Sequence, residues 1–190
     1  MAVAGLALGR SPRVAAAPSF DLVVRGGTVL DGTGAPAFRA DVGLVGDRIA
    51  ALGEIAPEQA RRVVDATSLH VAPGFIDIHT HSDPDVLAYP TADSRARQGV
   101  TTELAGNCGS SAAPLLGLGV AERVEEWKRD GIAADWTDVG SYLGRVERAG
   151  LSVNHALLAG HGTLRSNAVG DVDRPLRPER VEIARALEQG

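Results

Sequence analysis

With 190 residues and a hydrophobic fraction of 44%, the chain has enough apolar side chains to bury the core of one domain, or of one and a half. A formal net charge of -5, no run of basic residues and an aromatic share of 4% argue against a nucleic-acid surface. No stretch reaches the length of a membrane span, and a single cysteine, Cys108, excludes an internal disulfide.

Residues 1–19 are Ala- and Gly-rich, with Arg10, Pro12, Arg13 and Pro18 interspersed, and read as a flexible leader. The apolar run Ala2 to Leu8 lacks a basic stretch before it, so a cytoplasmic location is expected; small residues from Val14 to Ala17 keep secretion as the alternative. From Phe20 the pattern turns to strands. Asp21 to Arg25 is a short β-rich run stopped by Gly26-Gly27, and Thr28 to Leu30 follows before the turn Asp31-Gly32-Thr33-Gly34. Asp41 to Val45 and Arg48 to Leu52 form a hairpin about Gly46-Asp47, and Arg62 to Asp65 is a further strand. Residues 20–73 therefore read as a small β unit.

At Pro73-Gly74 the rhythm changes. Strands are predicted at Phe75 to His79, Val100 to Ala105 and Leu151 to Ala159. Helices are predicted at Ala92 to Gln98, Ala121 to Arg129, Val139 to Arg148 and Pro178 to Gln189. Strands alternating with helices indicate a parallel α/β architecture over 74–190. An eight-fold βα barrel needs about 250 residues, so only the first three units of one fit here.

The chemistry concentrates in Pro73-Gly74-Phe75-Ile76-Asp77-Ile78-His79-Thr80-His81. A strand alternates its faces, so His79 and His81 point the same way and can share one metal ion at the carboxyl end of the strand. Imidazole suits zinc and related ions. Asp77 is on the same face, either orienting a ligand or satisfied within the strand. Cys108, between Gly106 and Gly109, is either a small buried hydrophobe or a thiolate ligand. Its even number places it on the face of Val100, Thr102 and Leu104 if the strand is regular. His161, in Gly160-His161-Gly162, is either a loop anchor or a substrate-side group; Arg165 is a carboxylate partner or structural. His70 and His155 carry no motif and read as structural.

Val71 to His81 resembles the first barrel strand of the metal-dependent amidohydrolase superfamily, and Asp21 to Gly34 resembles the opening strands of the small β-sandwich-type domain in those enzymes. One departure is Ser68, where a glycine is common. Gly99-Val100-Thr101-Thr102 followed by Gly106-Asn107-Cys108-Gly109 resembles the N-acyl-D-amino-acid deacylase (D-aminoacylase) family, and Ala159 to Arg165 does so too. The resemblance covers Phe20 to Gly190. It implies a truncated α/β fold, the amino-terminal portion of a TIM-like barrel. It also implies a divalent metal, zinc foremost, held by His79, His81 and Cys108, with the cysteine in the place of the carboxylated lysine of hydantoinases. The substrate would be a small N-acyl amino acid, its amide cleaved to a carboxylate and a D-amino acid by water that the ion activates. The family's further histidines and catalytic aspartate have no place in this chain, so no catalytic residue is assigned here and the chain alone is expected to be inactive.

Other readings stay open at this point. A hydantoinase- or dihydroorotase-like enzyme would want a bridging lysine, and Lys128 falls in a helical stretch. A metallo-β-lactamase-type HxHxDH motif matches at Asp83 but meets Pro84 at its last position. A histidinol-phosphatase-type phosphoesterase opens with HxH but would normally lack the β unit upstream. The chain as given could also be a non-catalytic fragment.

Overall fold

The computed structural model describes residues 19–118 and 120–170. The leader expected at 1–19, apart from its last residue, and the helix expected at Pro178 to Gln189 lie outside them. The chain divides into two compact units, Met1–Pro73 and Gly74–Gly190.

The first unit is one mixed sheet of five strands: β1 (Leu22–Val29), β2 (Phe38–Val45), β3 (Arg48–Gly53), β4 (Val63–Asp65) and β5 (His70–Val71). The strand order is β3-β2-β1-β4, and β5 also pairs with β1. The described residues thus form a single sheet rather than the expected sandwich. The hairpin of β2 and β3 closes Val45 on Arg48 through Gly46-Asp47 as expected. The Gly26-Gly27 pair does not stop the strand. It makes a bulge, with a register shift between Val24 and Gly27 and Gly26 at φ +71°. The Asp41 carboxylate fixes this bulge, accepting from Gly26 N at 2.7 Å and from Ile55 N at 2.9 Å. Ser68, at the position where a glycine is common, has φ +67° in the turn before β5; a glycine there would relieve that strain.

The second unit holds three parallel strands, β6 (Phe75–Asp77), β7 (Val100–Ala105) and β8 (Asn154–Leu157), in the order β6-β7-β8. Helix α1 (Asp93–Ala96) lies between the first two strands; α2 (Val120–Arg129) and α3 (Val139–Ala149) lie between the next two. Asp138 caps α3, accepting from Ser141 N at 2.8 Å, and Gly150 ends it in the left-handed region. A fourth helix, α4 (His161–Val169), begins where the sequence suggests only a loop. The core gathers Val86, Trp127, Trp136, Tyr142 and Val146. Trp127 stacks on Trp136 at 5.7 Å, and Trp136 meets Tyr142 edge-on at 5.2 Å, contacts each worth about 0.5–1.5 kcal/mol beyond the area they bury. Among the described residues no helix is long and apolar enough to cross a membrane.

Among the described residues no strand pairs with the outer edge of β6. Phe75, Ile76 and Ile78 are 64%, 66% and 70% exposed, an apolar strand border of the kind that pairs with other chains. The 190-residue chain expressed by itself is therefore expected to associate. Size-exclusion chromatography with light scattering should find oligomers; a monomer that unfolds in one cooperative step and turns over substrate would contradict this.

Candidate metal centre

The strand carrying the two histidines ends at Asp77, earlier than the sequence suggests. Its alignment with β7 nevertheless persists through Thr80, whose amide donates to the Leu104 carbonyl at 3.0 Å. The alternation of faces persists with it. Thr80 and Ser82 are buried, and His79 and His81 are exposed, their rings 5.6 Å apart. Asp77 accepts from the amide of His79 at 3.1 Å and so shapes the backbone rather than an imidazole.

Cys108 arrives by a different route from the one strand parity suggests. Strand β7 stops at Ala105, and Cys108 sits in a 3-10 turn, Asn107–Gly109, with φ +53° and ψ +24°. A left-handed conformation is costly for a residue with a side chain and often marks a functional position. Gly106 makes the turn feasible: at φ +80°, a Cβ there would lie 2.1 Å from the Leu158 carbonyl oxygen. The thiol is exposed, not a buried apolar group. His79 Nε2 lies 3.3 Å from Cys108 Sγ, and the donor atoms of His79, His81 and Cys108 all lie within 4.8 Å of one another.

These residues suit a metal ion. Bonds of about 2.0–2.1 Å to nitrogen and 2.3 Å to sulfur put neighbouring ligands of a tetrahedral ion roughly 3.3–3.6 Å apart. The His79–Cys108 pair already has that spacing, and two imidazoles with one thiolate form a donor set that favours zinc.

His161 is the first residue of α4 and is exposed. Its neighbours fold back on the cysteine turn: a Cβ on Gly160 or Gly162 would lie 2.5 or 2.8 Å from the Gly109 carbonyl oxygen. His161 thus borders the Cys108 turn without belonging to the three-donor group. Arg165 is half-buried on α4. Lys128 is exposed on α2, 3.5 Å from Glu125 Oε1.

Beneath the histidines lies a polar network that the sequence reading missed. Glu103, fully buried in β7, accepts from Ser82 Oγ and from His155 Nδ1, each at 2.9 Å, and pairs with Arg95 Nε at 2.7 Å. His155 Nε2 faces the Tyr142 hydroxyl at 3.2 Å. Burial pushes the Glu103 carboxyl up. The hydrogen bonds from His155 and Ser82 and the charge of Arg95 outweigh that effect and hold it below its ordinary 4.5. Burial likewise pushes the Tyr142 phenol well above its ordinary value. An acidic residue inside the strand Val100-Thr101-Thr102-Glu103-Leu104-Ala105 was the available signal, because a buried carboxylate needs partners.

Removing Glu103 leaves Arg95 and His155 without it. Glu103→Ala should therefore cost about 3–5 kcal/mol in urea unfolding. Since the folded carboxyl titrates below its unfolded value, its contribution is present above pH 4.5 and fades as pH falls through the folded titration point. The stability gap between wild type and Glu103→Gln should narrow below that pH; a gap independent of pH would show that the charge is not what matters.

The model of the amidohydrolase family, Amidohydro_3, matches residues 62–188. The chain belongs to the amidohydrolase family. Among relatives of this amidohydrolase chain, a D-aminoacylase of Alcaligenes xylosoxydans xylosoxydans is 38% identical over 170 residues, covering 90% of the chain and 35% of the relative. A solved D-aminoacylase, studied for its binuclear metal centre, superposes with a TM-score of 0.78 at 39% identity. The N-acyl-D-glutamate deacylase of Bordetella bronchiseptica, solved with zinc and a phosphonate mimic of the tetrahedral intermediate, gives 0.75 at 35%. Each structural match covers 90% of this chain and 35% of the other. The chain thus spans about a third of the length of these relatives.

Proposed function

We propose that these residues are the amino-terminal portion of a metal-dependent hydrolase that cleaves the amide bond of N-acyl-D-amino acids. In this reading β6, β7 and β8 are the first three strands of a TIM-like barrel. His79, His81 and Cys108 hold a divalent ion, zinc foremost. The observation that carries the reading is the thiol of Cys108 meeting the HxH pair, in the setting of relatives named for D-aminoacylase and N-acyl-D-glutamate deacylase activity.

Bound there, the ion would supply Lewis acidity toward the acyl carbonyl and a more acidic water. The chain's own residues do the positioning. His79 and His81 present two nitrogens from one exposed face, and the glycine-flanked turn presents the sulfur opposite them. His161, exposed at the start of α4, is the residue we assign to donate a hydrogen bond to an acyl or carboxylate oxygen of substrate. A cyclic-amide hydrolase would instead want a lysine among the donors, and Lys128 is exposed on α2 beside Glu125.

The test is direct. The whole protein is offered N-acetyl-D-amino acids, their L enantiomers and a hydantoin, before and after chelation and zinc restoration. Hydrolysis of the D amides that chelation abolishes and zinc restores is expected. Faster opening of the hydantoin, or turnover indifferent to chelation, would overturn the proposal.

A further inference from the structure

Asp83 stands two residues beyond His81, and its carboxylate reaches across to the cysteine turn. Oδ1 accepts from the amide of Gly106 at 3.2 Å, and Oδ2 accepts from the amide of Ala112 at 2.5 Å. Those amides lie on either side of Cys108. One carboxylate thus staples both ends of the segment that carries the thiol to the segment that carries the histidines. A second tie runs alongside it: the Asn107 side chain donates to the Leu104 carbonyl at 2.8 Å and to the Thr80 carbonyl at 3.4 Å. Thr80 lies between the two histidines, and Asn107 precedes the cysteine. The residues interleaved with the donors are therefore the ones that join the two segments.

We infer that Asp83 is a positioning residue that sets the Cys108 thiol at ligand distance from His79 and His81. The inference rests on the proposed metal centre. Asp83 does not itself join the donor group. Its action runs through the backbone, and two features make that action necessary. Cys108 has a left-handed conformation that its side chain disfavours. The segment from Gly106 to Ala112 also contains no strand and only the single turn Asn107–Gly109. Ser111 and the Ala112 carbonyl tie its far end to Thr163, Gly160 and Trp136, and Asp83 and Asn107 are the residues whose side chains tie it to the segment of the histidines. Two acceptors are required, and a carboxylate supplies both. An asparagine offers one oxygen and turns an N–H toward the other amide.

The probe is cobalt(II) chloride titrated into the metal-free whole protein, because sulfur ligation to cobalt gives a near-ultraviolet charge-transfer band that nitrogen ligation does not. Wild type should show the band. Asp83→Asn should lose most of it and bind cobalt about 10- to 100-fold more weakly, with its circular dichroism unchanged. Asp83→Glu keeps both acceptors but moves the turn out by one methylene, and should fall between the two. A purely structural role would lower the unfolding midpoint and leave the band intact.

Absence of the band in wild type would refute Cys108 as a ligand, and the metal reading with it. A band present in wild type and undiminished in a folded Asp83→Asn would overturn the positioning role while leaving that reading in place. If Asp83→Asn does not fold, a weakened band in Asp83→Glu upholds the inference and an unchanged one overturns it. Failure of both variants to fold assigns Asp83 to the fold alone and also overturns it.

Discussion

Replacing either His79 or His81 by alanine in the whole protein is expected to lower amide hydrolysis by more than about 100-fold. Losing a residue that merely supports a ligand typically costs about 10- to 100-fold in metal affinity or activity, and loss of a donor atom exceeds that. The fold should survive. Both imidazoles are exposed, so little packing goes with them, while the buried neighbours Thr80 and Ser82 keep this segment on β7. Metal content by atomic absorption, read beside circular dichroism, separates the two effects. Wild-type turnover in either variant would make the pair structural.

Cys108→Ser is expected to separate metal affinity from stability. A hydroxyl is a harder donor that stays protonated near neutral pH, whereas the ion stabilises a thiolate. Zinc affinity should therefore fall by more than about 100-fold. A buried structural cysteine would behave otherwise: serine would cost roughly 1–2 kcal/mol of stability and leave metal binding alone. The thiol is exposed, so the metal-free forms of wild type and variant should unfold at nearly the same midpoint. Competition against a chromophoric chelator measures the first quantity and thermal unfolding the second. Unchanged affinity with a lowered midpoint would remove the ligand role, and with it the main distinction from the cyclic-amide hydrolases.

What the sequence disclosed, and what it hid, follows from how far each interaction reaches along the chain. Strand β7 and helices α2 and α3 were legible within a residue or so, because the spacing of charged and apolar residues is a local signal. The His79–His81 pair was legible because alternation is local as well. The continuity of β1 through Gly26-Gly27 was not: a bulge depends on a partner strand and on Asp41, fifteen residues away. Helix α4 was missed because Gly160-His161-Gly162 looks like a turn, whereas Thr163 and Asn167 are held by distant partners, Ser111 and Pro114. Strand parity misjudged the route to Cys108, since the strand ends before it and the turn re-aims the side chain. Glu103 and Asp83 act across separations of twenty residues or more, and nothing in their immediate neighbours announces the partners.

The position of the donors along the chain also sets an order of assembly during synthesis. His79, His81, Cys108 and the Asp83 staple all fall between residues 79 and 112, whereas β8 begins at Asn154. Closing the loop from His79 to Cys108 costs chain entropy that grows only slowly with length, and the β6–β7 pairing that supports it is complete by the same point. Once Ala112 has cleared the ribosome, the segments carrying these three donors are available. An ion captured then would bias the nascent chain toward the native pairing of its first two parallel strands, at a stage when their apolar border has nothing else to hold it in register.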